Sequence, residues 1–178
     1  MDEVGVPFAV TIDFTTIEDD TVTLREALLR EHYRGGQSFW VVPRISDLPE
    51  IEDWLKSNVP EVTFITAHGQ LAAGDLDDRM NQFYDGKYDV LIATSIVESG
   101  LDIPSANTMI VHHADRFGLS QLHQLRGRVG RGAAASACVL LYTPPDSGRL
   151  GETARERLKA MAETNDGFEI ARRDLEIR

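Results

Sequence analysis

Residues 88–113 read YDVLIATSIVESGLDIPSANTMIVHH. Two apolar runs, YDVLIAT and TMIVHH, flank a polar stretch that carries Gly100 and Pro104. Short continuous apolar runs fit strands covered on both faces, the condition met in parallel sheets. The intervening SIVESGLDIPSAN reads as a long loop or a short helix.

The same alternation extends in both directions. Upstream, LREALLREHYRGG places Leu24, Ala27, Leu28 and Glu31 at helical spacing and ends at Gly35–Gly36. SFWVV reads as a buried strand stopped by Pro43. SDLPEIEDWLKSNVP reads as a helix capped by Ser46 or Asp47, with Leu48, Ile51, Trp54 and Leu55 on its apolar face. VTFITA is a strand followed by the loop HGQ, and LDDRMNQFYDG is a helix closed by Gly86. Downstream, a helix begins at Leu119 and ACVLLY is the last strand. Strands alternating with helices predict an α/β fold, a doubly wound and mostly parallel sheet with helices on both faces. Such sheets bind ligands at the carboxyl ends of their strands. Pro43–Arg44, His68–Gly69–Gln70 and Thr94–Ser95 all fall at such ends.

The two ends of the chain read differently. Residues 1–23 have short β-like runs without a helical period and are expected to form a lead-in segment or edge strand. From Glu152, ETARERLKAMAETNDGFEIARRDLEIR has helical spacing and no strand, which predicts a separate helical hairpin turning at Asn165–Gly167. No helix-stop signal follows, so the hairpin is expected to be cut short at Arg178.

With 178 residues, 42% hydrophobic and 26% charged, the chain has the make-up of a soluble globular protein, long enough for one ordinary domain or one domain plus an appendage. There is no apolar run of membrane-span length and no signal-peptide pattern, so a cytoplasmic location is expected. The single Cys138 precludes an internal disulfide and, within SACVLLY, reads as a core filler rather than a nucleophile. The net charge of −11 lies wholly in residues 1–90, with 18 acids against 7 bases; residues 91–178 carry 11 of each. An acidic total argues against a nonspecific polyanion binder. A locally basic groove still works, because screening limits exposed charges to a reach of about 8–10 Å.

Residues 121–132, QLHQLRGRVGRG, hold three arginines, three glycines and no acid. Arg128 and Arg131, three apart on a helical turn, would face one side and suit a shared polyphosphate. The guanidinium offers a planar fork of donors that cannot lose its proton, and glycine lets the backbone come close. The plain alternative is a solvated arginine face. In ESGLDIPSAN, Gly100 and Asp102 ahead of Pro104 make a stiff turn that aims one carboxylate. That carboxylate suits a ribose hydroxyl or an arginine, or it caps its own turn. His112–His113 with Asp115 has the composition of a metal cluster, but strand alternation would send neighbours to opposite faces, and no metal is expected. Phe39, Trp40 and Trp54 are expected in the core rather than as base-stacking platforms.

Taken together, ATSIVESGLDIPSAN and QLHQLRGRVGR resemble motifs V and VI of superfamily 2 helicases and translocases. TAHGQL resembles the motif IVa region and FWVVPRISD motif IV, so the likeness covers nearly all of residues 24–143. It implies a RecA-like fold there, the C-terminal lobe of a two-lobed motor, and for residues 144–178 the start of a translocation-type helical hairpin. LREALLREHYRGGQSFWVVPRISDL, YDGKYDVLIATSIVESGLDIPSAN and ADRFGLSQLHQLRGRVGR resemble double-stranded DNA translocases of the transcription-repair coupling type. GRGAAASACVLLY and ETNDGFEIARRDLEIR resemble the RecG type; the longer portion favours the coupling type.

The resemblance implies that Gln124, Arg128 and Arg131 belong to motif VI, the arginines acting as fingers toward ATP and Mg²⁺ held mainly by the other lobe. Arg131 would meet the γ-phosphate. Gly100 and Asp102 would lie near the ribose and the lobe interface. Arg44, His68, Gly69 and Thr94 would grip the phosphates of one DNA strand, and Arg172 and Arg173 would sit in the hairpin that couples lobe motion to DNA movement. His68 also reads as an ordinary loop histidine, and Arg172 and Arg173 as partners of Glu169 and Glu176 on a solvated helix face. Implied partners are double-stranded DNA, the N-terminal RecA-like lobe of the same protein and, for the coupling type, RNA polymerase; no membrane is implied. The first lobe would supply the phosphate loop and the magnesium-binding acids. No G-x-x-x-x-G-K-[ST] occurs in this sequence and its only Asp-Glu pair is Asp2–Glu3, so the chain alone is expected not to hydrolyse ATP. Two rival readings are a non-catalytic RecA-like interaction module, which has no need of Arg128 and Arg131 together, and a small-nucleotide enzyme. The latter needs a glycine-rich loop after the first strand, where VVPRISD supplies none.

Overall fold

The computed structural model describes residues 7–13, 21–94, 106–127, 136–142, 152–163 and 167–177. Six strands, β1 (Pro7–Asp13), β2 (Gln37–Val42), β3 (Phe64–Ala67), β4 (Val90–Thr94), β5 (Ala106–Val111) and β6 (Ser136–Tyr142), form one sheet in the order β1-β6-β5-β2-β4-β3. Every pairing is parallel. The expected edge strand in the first 23 residues is present as β1, paired along β6 from Pro7–Ser136 to Asp13–Tyr142.

Among the described residues six α-helices accompany the sheet: α1 (Thr21–Tyr33), α2 (Leu48–Asn58), α3 (Ala73–Tyr84), α4 (Leu119–Arg126), α5 (Glu152–Glu163) and α6 (Gly167–Ile177). They cover both faces, because successive strand residues point to opposite sides. Trp40, Val42, Val90, Ile92 and Ile110 pack with Leu24 and Leu28 of α1 and with Leu48, Ile51, Trp54 and Leu55 of α2. Phe39, Val41, Leu91, Ala93, Met109 and Val111 face the other way, onto α3, α4, α5 and α6. Trp40 meets Trp54 edge-on at 5.5 Å and Phe39 lies 5.8 Å from Phe83, so these aromatics are core residues.

Local chemistry explains the helix ends. Gly35 and Gly86, both at φ +80°, close α1 and α3. In each case two backbone N–H groups fold back on the last turn: Gly35 to His32 and Gly36 to Glu31, then Gly86 to Phe83 and Lys87 to Gln82. Only glycine adopts that left-handed turn without cost. The cap expected from Ser46 or Asp47 is not made. Asp47 precedes α2 with helical φ −82° and ψ −15° at the end of a short 3₁₀ turn, Ile45–Asp47, and makes no side-chain cap bond. The polar position on α1, Glu31, is 1% exposed. It accepts hydrogen bonds from Thr108 Oγ1 at 2.7 Å and from Arg34 at 2.7 and 3.0 Å, which pins α1 to the start of β5.

The expected C-terminal helical pair forms. Its apolar side is continuous with the core: Leu158, Ala160, Met161 and Ile170 pack with Leu119, Leu122 and Leu125 of α4. The turn expected at Asn165–Gly167 falls at residues outside those described, except Gly167, which begins α6.

Candidate functional site at the carboxyl edge of the sheet

Four neighbouring strands, β3, β4, β2 and β5, end level with one another. Ala67 is paired with Ala93, Val42 with Thr94, and Val41 with Val111. Adjacent strands lie about 4.8 Å apart, so the loops leaving these ends share a strip of about 15 Å. His68, Thr94, Arg44 and His112 occupy that strip in spatial order, which brings together residues separated by up to 68 positions in the chain.

Arg44 is exposed, and its guanidinium is paired at 3.6 Å with the buried Asp47. His68 is partly buried, and its Nδ1 accepts from the backbone N–H of Gln70 at 3.3 Å, the role of an ordinary loop histidine. Gly69 beside it is exposed. Thr94 lies beneath the surface at 4% exposure, and its hydroxyl has no hydrogen-bond partner. The described conformation therefore presents Arg44, His68 and Gly69 to solvent but not Thr94.

The strip contains a histidine pair whose geometry departs from the sequence expectation. β5 stops at Val111, so His112 and His113 lie in the turn beyond it and strand alternation no longer separates them. Their rings meet edge-on at 4.3 Å. His113 has φ +52°, the left-handed region, which costs a non-glycine residue about 1–2 kcal/mol. In that conformation its Nε2 lies 3.9 Å from Asp47 Oδ1. His112 is 4% exposed with both ring nitrogens unpartnered. Burial, and after it the neighbouring His113, pushes its pKa down to about 4. Among the described residues no group of three His, Cys, Asp or Glu side chains is placed to hold a metal ion. The side chain of Asp115 lies outside those described.

The turn after His113 leads into α4. Gly118 donates its N–H to Gln121 Oε1 at 2.9 Å, and Gln124 stands exposed on the outer side. Arg128 and Arg131, and likewise Gly100 and Asp102, lie outside the described residues. The arginine just before them is Arg126, which sequence reasoning passed over. It is 2% exposed and donates from Nη1 to the carbonyl of Met161 at 2.6 Å. That carbonyl belongs to the last turn of α5, whose acceptors lack intrahelical donors, so Arg126 caps α5 from the end of α4. A Cβ on Gly167, the first residue of α6, would stand 3.4 Å from His123 Nε2, so α6 also begins close against α4. The signal for Arg126 was in the sequence. It follows Leu119 and Leu122 at i, i+3, i+7, which puts it on the buried stripe.

Arg172 and Arg173 are engaged by carboxylates. Arg172 binds Glu169 and, at 3.1 Å, Glu176; Arg173 binds Glu163 at 2.6 Å and Glu169 at 3.3 Å. The Arg172 guanidinium, by its hydrogen bond, holds the Glu169 carboxyl below its usual range. Glu163 of α5 thus joins the partners expected from the sequence, Glu169 and Glu176. Among the described residues no helix is long and apolar enough to cross a membrane.

Residues 21–133 match the family described as helicase conserved C-terminal domain. The transcription-repair-coupling factor of Rickettsia typhi is 49% identical over 162 residues, 89% of this chain and 14% of that protein. The structure of RecG bound to a three-way DNA junction superposes with a TM-score of 0.77 at 38% identity, covering 99% of this chain and 22% of that one. The C-terminal domain of the DEAD-box protein Dbp5, 18% identical, shares the fold with a TM-score of 0.64 over 97% of this chain and 98% of its own. This chain thus spans about a seventh of the length of the coupling factors it matches. With six parallel strands wrapped on both faces and motif VI leaving α4, the chain belongs to the helicase conserved C-terminal domain family, as the RecA-like C-terminal lobe of superfamily 2.

Proposed function

We propose that this chain is the second motor lobe of an ATP-dependent double-stranded DNA translocase in DNA repair, of the transcription-repair coupling type. The observation that carries the reading is the 49% identity to a coupling factor across 89% of the chain, with QLHQLRGRVGR intact at the end of α4. In this reading Arg128 and Arg131 reach across a cleft to ATP·Mg²⁺ on the first lobe, and Gln124, Gly100 and Asp102 line the nucleotide side. Arg44, His68 and Gly69 sit on DNA phosphates, with Thr94 recruited from beneath. Arg172 and Arg173 serve the translocation hairpin that residues 144–178 begin, and RNA polymerase is the further partner. The RecG reading, supported by the 38% identity to a junction-bound protein, keeps the same lobe chemistry and replaces the polymerase with a branched DNA substrate.

The test is Arg131→Ala in the two-lobed protein. A finger acts on charge that develops in the transition state, and supplying one accelerates phosphoryl transfer roughly 10³–10⁵-fold. Turnover should nearly vanish while ATP affinity stays within a few fold. Equal losses in affinity and rate would mean ground-state binding instead, and wild-type turnover would remove the finger role.

A further inference from the structure

We propose that Asp47 and His113 are positioning residues that set how Arg44 meets a DNA phosphate, a role that rests on the DNA reading above. Three observations carry it. Asp47 is 7% exposed, yet it makes none of the cap bonds its place before α2 would allow. Its Oδ1 instead faces two nitrogen groups from different loops, the Arg44 guanidinium Nη2 at 3.6 Å and the His113 ring Nε2 at 3.9 Å. His113 reaches it only through a left-handed backbone, and is the one non-glycine residue in that region among those described.

The relay has a fixed base. The His113 ring rests on the His112 ring at 4.3 Å, and the backbone N–H of His112 is bonded to Val41 O at 2.8 Å, one residue before the end of β2. His112 is buried and without ring hydrogen bonds, so it behaves as an apolar wedge under His113. A buried carboxylate, approached from behind by the β5–α4 turn, thereby restrains the guanidinium of an exposed arginine just past the end of β2, through its Nη2. A guanidinium restrained in this way loses less freedom on binding a phosphate than a solvated one. The same turn feeds α4, so the DNA-side loop and the motif VI helix share one support.

The sign of a single substitution decides the matter. If Asp47 were a bystander, Asp47→Asn would remove a negative charge beside a phosphate site and tighten DNA binding. If it positions Arg44, the same change weakens binding. The experiment titrates a labelled duplex with the chain and its variants at several salt concentrations. Arg44→Ala should weaken binding several-fold and flatten the salt slope by about 0.9, one phosphate contact. Asp47→Asn should weaken it by a similar factor, and the pair together should be no weaker than Arg44→Ala alone, the non-additivity expected of coupled residues. His113→Asn, whose side chain tolerates the left-handed backbone, should also weaken binding and add nothing to Asp47→Asn. It gives an independent route should the Asp47 variant unfold. Weakening by Arg44→Ala with tightening by Asp47→Asn overturns the relay alone. No effect of Arg44→Ala overturns both the relay and the DNA role of this edge.

Discussion

Two buried, unpartnered ring nitrogens make His112 sensitive to acid. Its pKa is pushed down to about 4 by burial, against an ordinary 6.5. A histidine with a depressed pKa stays neutral in the folded chain while the unfolded chain takes up a proton, so folding stability is full above about 6.5 and falls as the pH drops toward 4. The displacement corresponds to roughly 3 kcal/mol once the window is crossed. Unfolding by urea at pH 7 and pH 4.5 should give a drop that largely disappears in His112→Leu, relative to the same two conditions for the parent chain. An identical drop in both would assign the acid sensitivity to other groups. At this scale the sequence was only half legible. The placement of Arg44 and His68 just past strand ends was readable from the apolar runs before them, but nothing in the run TMIVHH announces that the strand ends at Val111 and brings the two rings together. Arg126 was legible in principle, since helical spacing alone buries it, yet the glycine-flanked arginines beside it have the more familiar chemistry.

At the scale of elements, continuous apolar runs made the strands readable, but not their limits: β2 and β5 carry near their starts the buried polar residues Gln37, Ser38, Asn107 and Thr108, and β5 stops before His112. The paired helices α5 and α6 were readable as amphipathic, but periodicity does not say what an apolar face rests on. Here it rests on α4. Ile170 is 2% exposed and packs with α4 residues, while Arg172, two positions on, is turned outward into its acidic neighbours. Ile170→Ala should therefore cost about 2–5 kcal/mol, the range for truncating a fully buried aliphatic side chain. Because the contact is with the core that also holds β2, β4 and β5, far-UV and tryptophan signals should shift together by that amount. Trp40 and Trp54 report from the opposite face of the sheet, so a tryptophan transition left unchanged would mean that the helical pair unfolds by itself.

For the molecule as a whole, the fold class followed from alternation alone, whereas the strand order could not. β2 lies centrally between β5 and β4 although it precedes both in the chain, a consequence of crossovers that local pattern does not encode. The charge map is also a whole-chain property: all of the −11 lies in residues 1–90, so the basic motif VI segment stands apart from the acidic portion of the sequence. Phosphoryl transfer needs the β- and γ-phosphates cradled, their charge neutralised by a metal ion and water oriented before an arginine finger has a developing charge to meet. This sequence carries QLHQLRGRVGR, to which the finger role is proposed above, but no G-x-x-x-x-G-K-[ST] loop to do the cradling. The purified chain should therefore release no phosphate from ATP above background, with or without duplex DNA. Joined to a first lobe bearing that loop, it should turn over ATP faster when DNA is added, and Arg131→Ala should abolish the gain. Steady-state phosphate release across these three samples is the measurement. Robust turnover that copurifies with the 178-residue chain would sink the half-motor reading, because the groups needed for hydrolysis would then have to reside in this lobe.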